Sequence, residues 1–190
     1  MDIQAAISGR RSVRAYRQQA VDEATIRRLI TAATQAPSAV NLQPWTFTVV
    51  RDQARLDQVS QEAKVHMLQT MSADLALNAR PEHFRTILAD PEFQIFYHAP
   101  VLILISATAA GPWIVENCSL AAENLMLAAH ASGLGTCWIG FAQRYLNTPA
   151  GKRTLGLPDA CVPVAPIIVG HPANVPAVVP RREPEIQWVG

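Results

Sequence analysis

Five apolar residues in a row, Val101-Leu102-Ile103-Leu104-Ile105, follow Pro100 and constrain the fold more than any other stretch. A strand with one wet face alternates apolar and polar residues, whereas an unbroken run marks a strand covered on both faces. A chain containing one must place structure on each side of a sheet. Candidate partner strands are the β-branched and aromatic Thr46-Phe47-Thr48-Val49-Val50, a strand beginning Cys137-Trp138-Ile139, and Val162 to Val169. Helices supply the covering layers. Residues 22–36 place Ile26, Leu29, Ile30 and Ala33 at helical spacing, with Asp22 as cap, Glu23 near the positive helix end and Pro37 as terminator. From about Glu116 to Ser132 a second helix is apolar nearly all round, so it lies in a core or against a partner chain. Residues 53–90 read as mostly helical and more polar, broken by Pro81. Alternating strands and helices of this kind indicate an α/β-type or α+β three-layer sandwich.

A chain of 190 residues suits one domain, 1–190, and 49% hydrophobic residues are ample for its core. Mean hydropathy of +0.10 points to apolar surface buried against a partner. After Gly170 the prolines at 172, 176, 180 and 184 forbid a helix, so 171–190 should be an extended arm. Trp188 near its end is expected to dock, on another subunit if not on its own. A net charge of +1 argues against a nucleic-acid binder. Glu123, Asn124 and His130 interrupt the most apolar stretch, so no membrane span is expected. No leader pattern follows Met1, and a cytoplasmic location is the expectation. Cys118, Cys137 and Cys161 are too few and too far apart for a disulfide framework or a metal knuckle. The histidines at 66, 83, 98, 130 and 171 form no metal-binding motif, and nothing around the cysteines marks a nucleophile.

Four segments carry possible chemistry. Arg10-Arg11-Ser12-Val13-Arg14 offers three guanidinium forks and a hydroxyl, suited to a phosphate or an electron-rich planar ligand, or else forms a solvated basic turn. The loop from Pro37 to Pro44 holds Ser38, Asn41 and Gln43 on a stiff backbone, where they bond a ligand edge or close their own turn. Gly133-Leu134-Gly135-Thr136-Cys137-Trp138-Ile139-Gly140 is not a dinucleotide fingerprint. Trp138 stands where the third glycine belongs, and the glycines follow a helix and precede a strand. They read as a helix C-cap, while Gly140 would end a strand and allow a ligand close to the backbone. Arg181-Arg182 lies in the arm, as a ligand clamp or as two solvated side chains.

Taken together, in order and spacing, these segments resemble the FMN-dependent nitroreductase family. The resemblance runs from Arg10–Arg14 through Pro37-Ser38-Ala39-Val40-Asn41-Leu42-Gln43-Pro44-Trp45 and the strand after His98-Ala99-Pro100. It continues through the helix ending Ser132-Gly133-Leu134-Gly135 to Trp138-Ile139-Gly140 and the basic arm, and is weakest over 53–95. It implies an α+β three-layer sandwich with a central mixed, mainly antiparallel sheet, and a homodimer with FMN sites at its interface. By the same resemblance Arg10, Ser12 and one or both of Arg181 and Arg182 clamp the FMN phosphate, with Arg11 beside them. Arg14 faces the pyrimidine edge of the flavin. Pro37, Ser38, Ala39 and Asn41, with Gln43, come from the opposite subunit. Backbone around Trp138, Ile139 and Gly140 donates to flavin N5. Ala39 departs from the second serine that many members carry, and no Asn or Lys from the polar helical stretch is matched. The implied chemistry is ping-pong electron transfer from NADH or NADPH to a nitroaromatic, quinone or similar small acceptor. The flavin carries that chemistry, and no side chain acts as an indispensable acid or base. Enone reduction, dehalogenation, flavin destruction and flavin binding without turnover are the alternatives. Acceptor preference is expected from the stretch near 60–97, Trp113 and Phe141.

Overall fold

A computed structural model describes residues 1–70 and 81–190, with 81–83 described by backbone alone. Four strands form the sheet: β1 (Trp45–Val50), β2 (Val101–Ala107), β3 (Gly135–Trp138) and β4 (Val162–Gly170). Their order is β1-β2-β4-β3, and each neighbouring pair is antiparallel. A parallel bridge from Ser12 to Thr136 adds the mixed element at the β3 edge. The helices are α1 (Ile3–Gly9), α2 (Glu23–Ala33), α3 (Gln53–Thr70), α4 (Pro81–Ala89), α5 (Ile114–Ala131), α6 (Gly140–Leu146) and α7 (Pro149–Leu155).

The unbroken apolar run of β2 is explained by the two cores it separates. Ile103 and Ile105 point into one core with Ile26 and Leu29 of α2 and Ala121, Ala122 and Leu125 of α5. Leu102 and Leu104 point into the other with Leu56, Val59 and Ala63 of α3 and Ala142 and Leu146 of α6. All seven β2 residues are buried. The sheet is therefore the middle layer of an α+β three-layer sandwich.

Helix starts follow local chemistry. Asp22 Oδ1 accepts the Thr25 amide at 2.8 Å, and its Oδ2 accepts the Thr25 hydroxyl at 2.7 Å, which together hold the carboxyl below its ordinary range. Thr148 accepts the Gly151 amide at 3.0 Å, and Pro149 opens α7. Helix α5 buries one face and leaves Val115 and Leu120 exposed, so it is not covered all round within one chain.

Several expectations need correction. Strand β3 begins at Gly135 and ends at Trp138. Ile139 caps α6 and Gly140 opens that helix instead of ending a strand. Of the two glycines read as a C-cap, only Gly133 plays that part, at φ +76°. Gly135 is the first strand residue. Pro81 begins a helix, and the expected break before it includes residues 71–80, which lie outside those described. Lys64 is buried, and its Nζ donates to the Asp90 carbonyl at 2.9 Å and the Phe93 carbonyl at 2.8 Å. It ties the 90–93 turn to α3. The arm bridges Tyr16 at Pro172 and then continues without regular structure. Trp188 is 87% exposed and docks on nothing in its own chain. Among the described residues, no helix is long and apolar enough to cross a membrane and no cluster could hold a metal ion.

Candidate functional site

The Arg10–Arg14 segment lies along the β3 edge. Val13 is buried, its amide donates to the Thr136 carbonyl at 2.9 Å, and its side chain fills the space where Gly135 lacks a Cβ. In extended backbone, alternate residues point to opposite sides. With Val13 turned inward, Ser12 and Arg14 are exposed.

Arg14 lines a cleft of about 360 Å³ at the end of β3. Trp138, Ile139 and Gly140 form one side, so the structure brings together these four sequence-predicted residues. Phe84, Tyr97, Phe141 and Met67 make the cleft aromatic and apolar, and Arg144 lines it as well. The rings of Phe84 and Phe141 meet edge-on, with centroids 6.0 Å apart. Tyr97 and His98 both adopt left-handed backbone, at φ 52° and 53°. Strain of this kind in bulky residues gathers at functional sites.

Positive charge dominates the cleft. Burial pushes the Tyr97 hydroxyl above its ordinary pKa, while the charge of nearby Arg14 pulls it down. Burial likewise raises the Cys137 thiol against the opposing effects of Arg14, Ser12 and Arg10. A thiol held protonated in this way is a wall of the site and not an activated nucleophile. Tyr16, behind them, is also raised, chiefly by burial.

Arg10 and Arg11 line a neighbouring groove of about 500 Å³ between α1, β3 and the arm at Pro172–Val178. Arg10 Nε lies 3.5 Å from Glu123 Oε1 without forming a hydrogen bond. Arg11 Nη1 donates to the carbonyls of Ser8 at 2.6 Å and Arg10 at 2.8 Å, and its Nε is also buried without a partner. Buried guanidinium N–H groups without acceptors call for an anion. Arg181 and Arg182 are exposed in the arm and are not among the groove's lining residues.

The second polar segment lies elsewhere. Pro37 is exposed, and Ser38 Oγ accepts the Gln43 amide at 3.0 Å. Asn41 Oδ1 accepts from Gln43 Nε2 at 2.7 Å, and the Ala39 amide donates to Asn117 Oδ1 at 3.0 Å. The loop therefore closes its own turn, and Asn117 of α5 anchors it. Val40, Asn41 and Gln43 have φ of 47°, 56° and 47°, and Val40 is 96% exposed. The β1 and β3 strands are at opposite sheet edges, with two strands between them. Trp138 is level with Val49 through the register, whereas the loop precedes Trp45. The separation is roughly 14 Å across the sheet and a further ~13 Å along the strands. One chain does not bring this loop to the cleft.

Two details adjust the expected backbone donors and cleft wall. The Ile139 amide donates to the Pro166 carbonyl at 2.8 Å and is already used. Gly140, as the first residue of α6, has no backbone acceptor for its N–H among the described residues. Trp113, expected near the acceptor, does not line the cleft. Sequence reasoning missed Tyr97, Arg144 and Asn117. The only local signal was Arg144 following Phe141 at the three-residue spacing of a helix face. A larger groove of about 620 Å³ includes Glu62, Tyr145 and Thr154. Its Tyr145 and Thr154 hydroxyls donate to Glu62, and the groove contains none of the predicted residues.

The model of the Nitroreductase family matches residues 7–171. A protein of Methanothermobacter thermautotrophicus, provisionally described as an NADH dehydrogenase/NAD(P)H nitroreductase, is 30% identical over 97% of this chain and 85% of its own. The NADPH-dependent FMN reductase of Bacillus subtilis is 26% identical over 92% of this chain and 68% of its own. Among solved structures, a nitroreductase with bound FMN from Bacteroides fragilis superposes with a TM-score of 0.81 at 24% identity, covering 100% of both chains.

Proposed function

The chain belongs to the nitroreductase family, and from that premise we propose that it is a cytoplasmic, homodimeric, FMN-dependent oxidoreductase. It takes electrons from NADH or NADPH and reduces small nitroaromatic, quinone or similar acceptors by a ping-pong scheme. The observation that carries this reading is the aromatic cleft at the end of β3. Arg14 and the unpaired Gly140 N–H lie in it, and the buried Nε groups of Arg10 and Arg11, without acceptors, lie beside it.

The residues present fit FMN. Its phosphate needs cationic donors, and Arg10 and Arg11 each hold a buried Nε without an acceptor, next to the Ser12 hydroxyl. Its ring needs an apolar slot with a polar rim, which the cleft supplies. Bound FMN supplies the redox chemistry, accepting a hydride equivalent from reduced nicotinamide and passing electrons to the acceptor. Arg14 places fixed positive charge where negative charge develops on the bound ring. Tyr97 lines the slot with Arg14. The Gly140 N–H donates to the ring edge. Phe84 and Phe141 exclude water from the slot. Burial keeps Tyr97 and Cys137 protonated, so neither is the general base and protons come from solvent. Ser38, Ala39, Asn41 and Gln43 join the site from the second subunit, which agrees with their distance from Trp138 in one chain. One or both of Arg181 and Arg182 would reach the phosphate through the arm.

Flavin content, anaerobic bleaching by NADH or NADPH and reoxidation by a nitroaromatic test the activity. A colourless protein that FMN does not reconstitute refutes it. The shared site is tested with Arg14→Ala and Asn41→Ala, each of which should impair its own homodimer. In an isologous mixed dimer, one site receives both lesions and the other none. About half of the wild-type flavin and activity should return by this symmetry argument. No recovery in a verified mixed dimer refutes sharing.

A further inference from the structure

The cleft contains a second arginine that the proposed function leaves unused. Arg144 is in the last turn of α6, three residues after Phe141. That spacing makes them neighbours on one helix face, and both line the cleft. The Arg144 side chain is exposed and makes no ion pair among the described residues. Arg14, in contrast, lies close enough to Tyr97 for its charge to lower that hydroxyl's pKa. Among the described residues that line the cleft there is no aspartate or glutamate. The site thus offers a slot for a flat ring, walled by the edge-on pair Phe84 and Phe141, with a guanidinium next to that wall that no described carboxylate neutralises.

We infer that the preferred acceptors are planar aromatic or quinoid molecules carrying a carboxylate or similar anionic group, and that Arg144 selects them. The inference rests on the cleft being the redox site. A guanidinium fork matches a carboxylate in plane and in charge. A neutral ring gains only stacking, and a cationic one is repelled. The donor's phosphates are also anionic, so recognition of the donor by Arg144 is the rival outcome that the test separates. Arg144 adjoins the ring wall, within reach of a group attached directly to the ring. Because the guanidinium is exposed, its charge-assisted bond is partly screened, and a selectivity of about ten-fold is expected.

The test uses the FMN-loaded enzyme with 4-nitrobenzoate and its neutral counterpart 4-nitrobenzamide, at a pH where the carboxyl is ionised. Arg144→Met should lower the ratio of kcat/KM for benzoate over benzamide about ten-fold, and Arg144→Lys should fall between. Added salt should lower the ratio in the wild type and not in Arg144→Met. Calorimetric binding of unreactive benzoate to the oxidised holoenzyme should weaken by the same factor, while benzamide binding does not. An unchanged ratio and unchanged benzoate affinity in Arg144→Met overturn the inference. So does a variant slowed only in flavin reduction by NADH or NADPH, since the arginine then reads the donor. A wild type that reduces neither compound refutes the oxidoreductase reading itself, and this inference falls with it. A wild type that reduces the amide without the charge preference refutes this inference alone.

Discussion

Gly135→Ala puts the anchoring of the arginine segment to a direct test. A Cβ at this position would lie 2.6 Å from Val13 Cγ2, 2.7 Å from Val13 Cβ and 2.8 Å from Val13 Cγ1. Carbon atoms in contact prefer about 3.5–4.0 Å. Rotating the Val13 side chain cannot relieve the clash, because its Cβ is one of the three atoms. The backbone cannot slide freely either, since the Val13 amide is bonded to the Thr136 carbonyl. The 12–14 segment must therefore move off β3 by roughly 1 Å, the difference between those contact distances. Overpacking of this sort costs about 1–3 kcal/mol. At this chain length each kcal/mol lowers Tm by about 2–4 °C. Thermal melts should thus show a fall of about 2–12 °C by the same conversion. The displaced segment carries Ser12 and Arg14, so the flavin, followed by fluorescence on release, should also be held more weakly. Val13→Ala removes two of the three clashing atoms. Combined with Gly135→Ala, it should give a loss smaller than the sum of the single losses by about 1 kcal/mol, a coupling expected only for residues in contact. Wild-type Tm and flavin content in Gly135→Ala, or strict additivity in the double variant, would refute the close-approach argument.

Two further perturbations probe other parts of the frame. Asn117→Leu removes the acceptor of the Ala39 amide and should cost about 1–3 kcal/mol in urea unfolding. It should also speed proteolysis in 38–43, and unchanged cleavage would show that the loop is held by something else. Burial raises the Cys118 thiol from 9.0 to about 11, so the folded state keeps a proton that the unfolded state gives up across that interval. This contribution is complete below pH 9 and is lost as pH rises toward 11, at about 1.4 kcal/mol per pH unit. Cys118→Ala should flatten that part of the alkaline stability profile, and an identical slope in both proteins would refute the assignment.

Legibility in the sequence followed the strength of local signals. Helix α2 was readable because Asp22, the apolar spacing and Pro37 agree with one another. Strand β2 was readable because the five residues from Val101 to Ile105 form an apolar run without a polar interruption, as a strand covered on both faces requires. The α6 helix was missed because Gly-Phe-Ala-Gln-Arg-Tyr-Leu is a short helix opened by a glycine that also suits a strand end. Helix α7 was missed although its signals were present: Thr148 before Pro149 at the start and Gly156 at the close. At the site, the order of the motifs identified the arginine and glycine segments. It could not show that Phe84 and Tyr97 enter the cleft, because their approach depends on how 81–100 packs over α3. The distance between the two polar segments was equally hidden. Residues 14 and 37 are close in the chain, and only the strand order separates them.

That separation bears on how a ligand is enclosed. Each polar segment has its own anchor: Val13 against Gly135 at the β3 edge, and Ala39 on Asn117 beside β1. Neither segment encloses a ligand alone. The cleft at β3 opens to solvent beside the Arg10 and Arg11 Nε groups that lack acceptors, while the loop exposes Val40 and Leu42. Exposed apolar residues on a strained loop and unpaired donors on a distant edge are complementary deficits. A two-fold axis that brings the loop of one chain to the cleft of the other resolves both, and one self-complementary contact generates two equivalent sites. Exposed Leu120 of α5 and Ile3 and Ile7 of α1 extend the apolar surface available to such a contact. In such a dimer the two anchors would act on the same bound cofactor. On the shared-site reading, Asn117→Leu loosens flavin as Gly135→Ala does. In a site confined to one chain, the loop that Asn117 anchors lies roughly 20 Å from Trp138 by strand spacing, and loosening it should leave the flavin held as in the wild type.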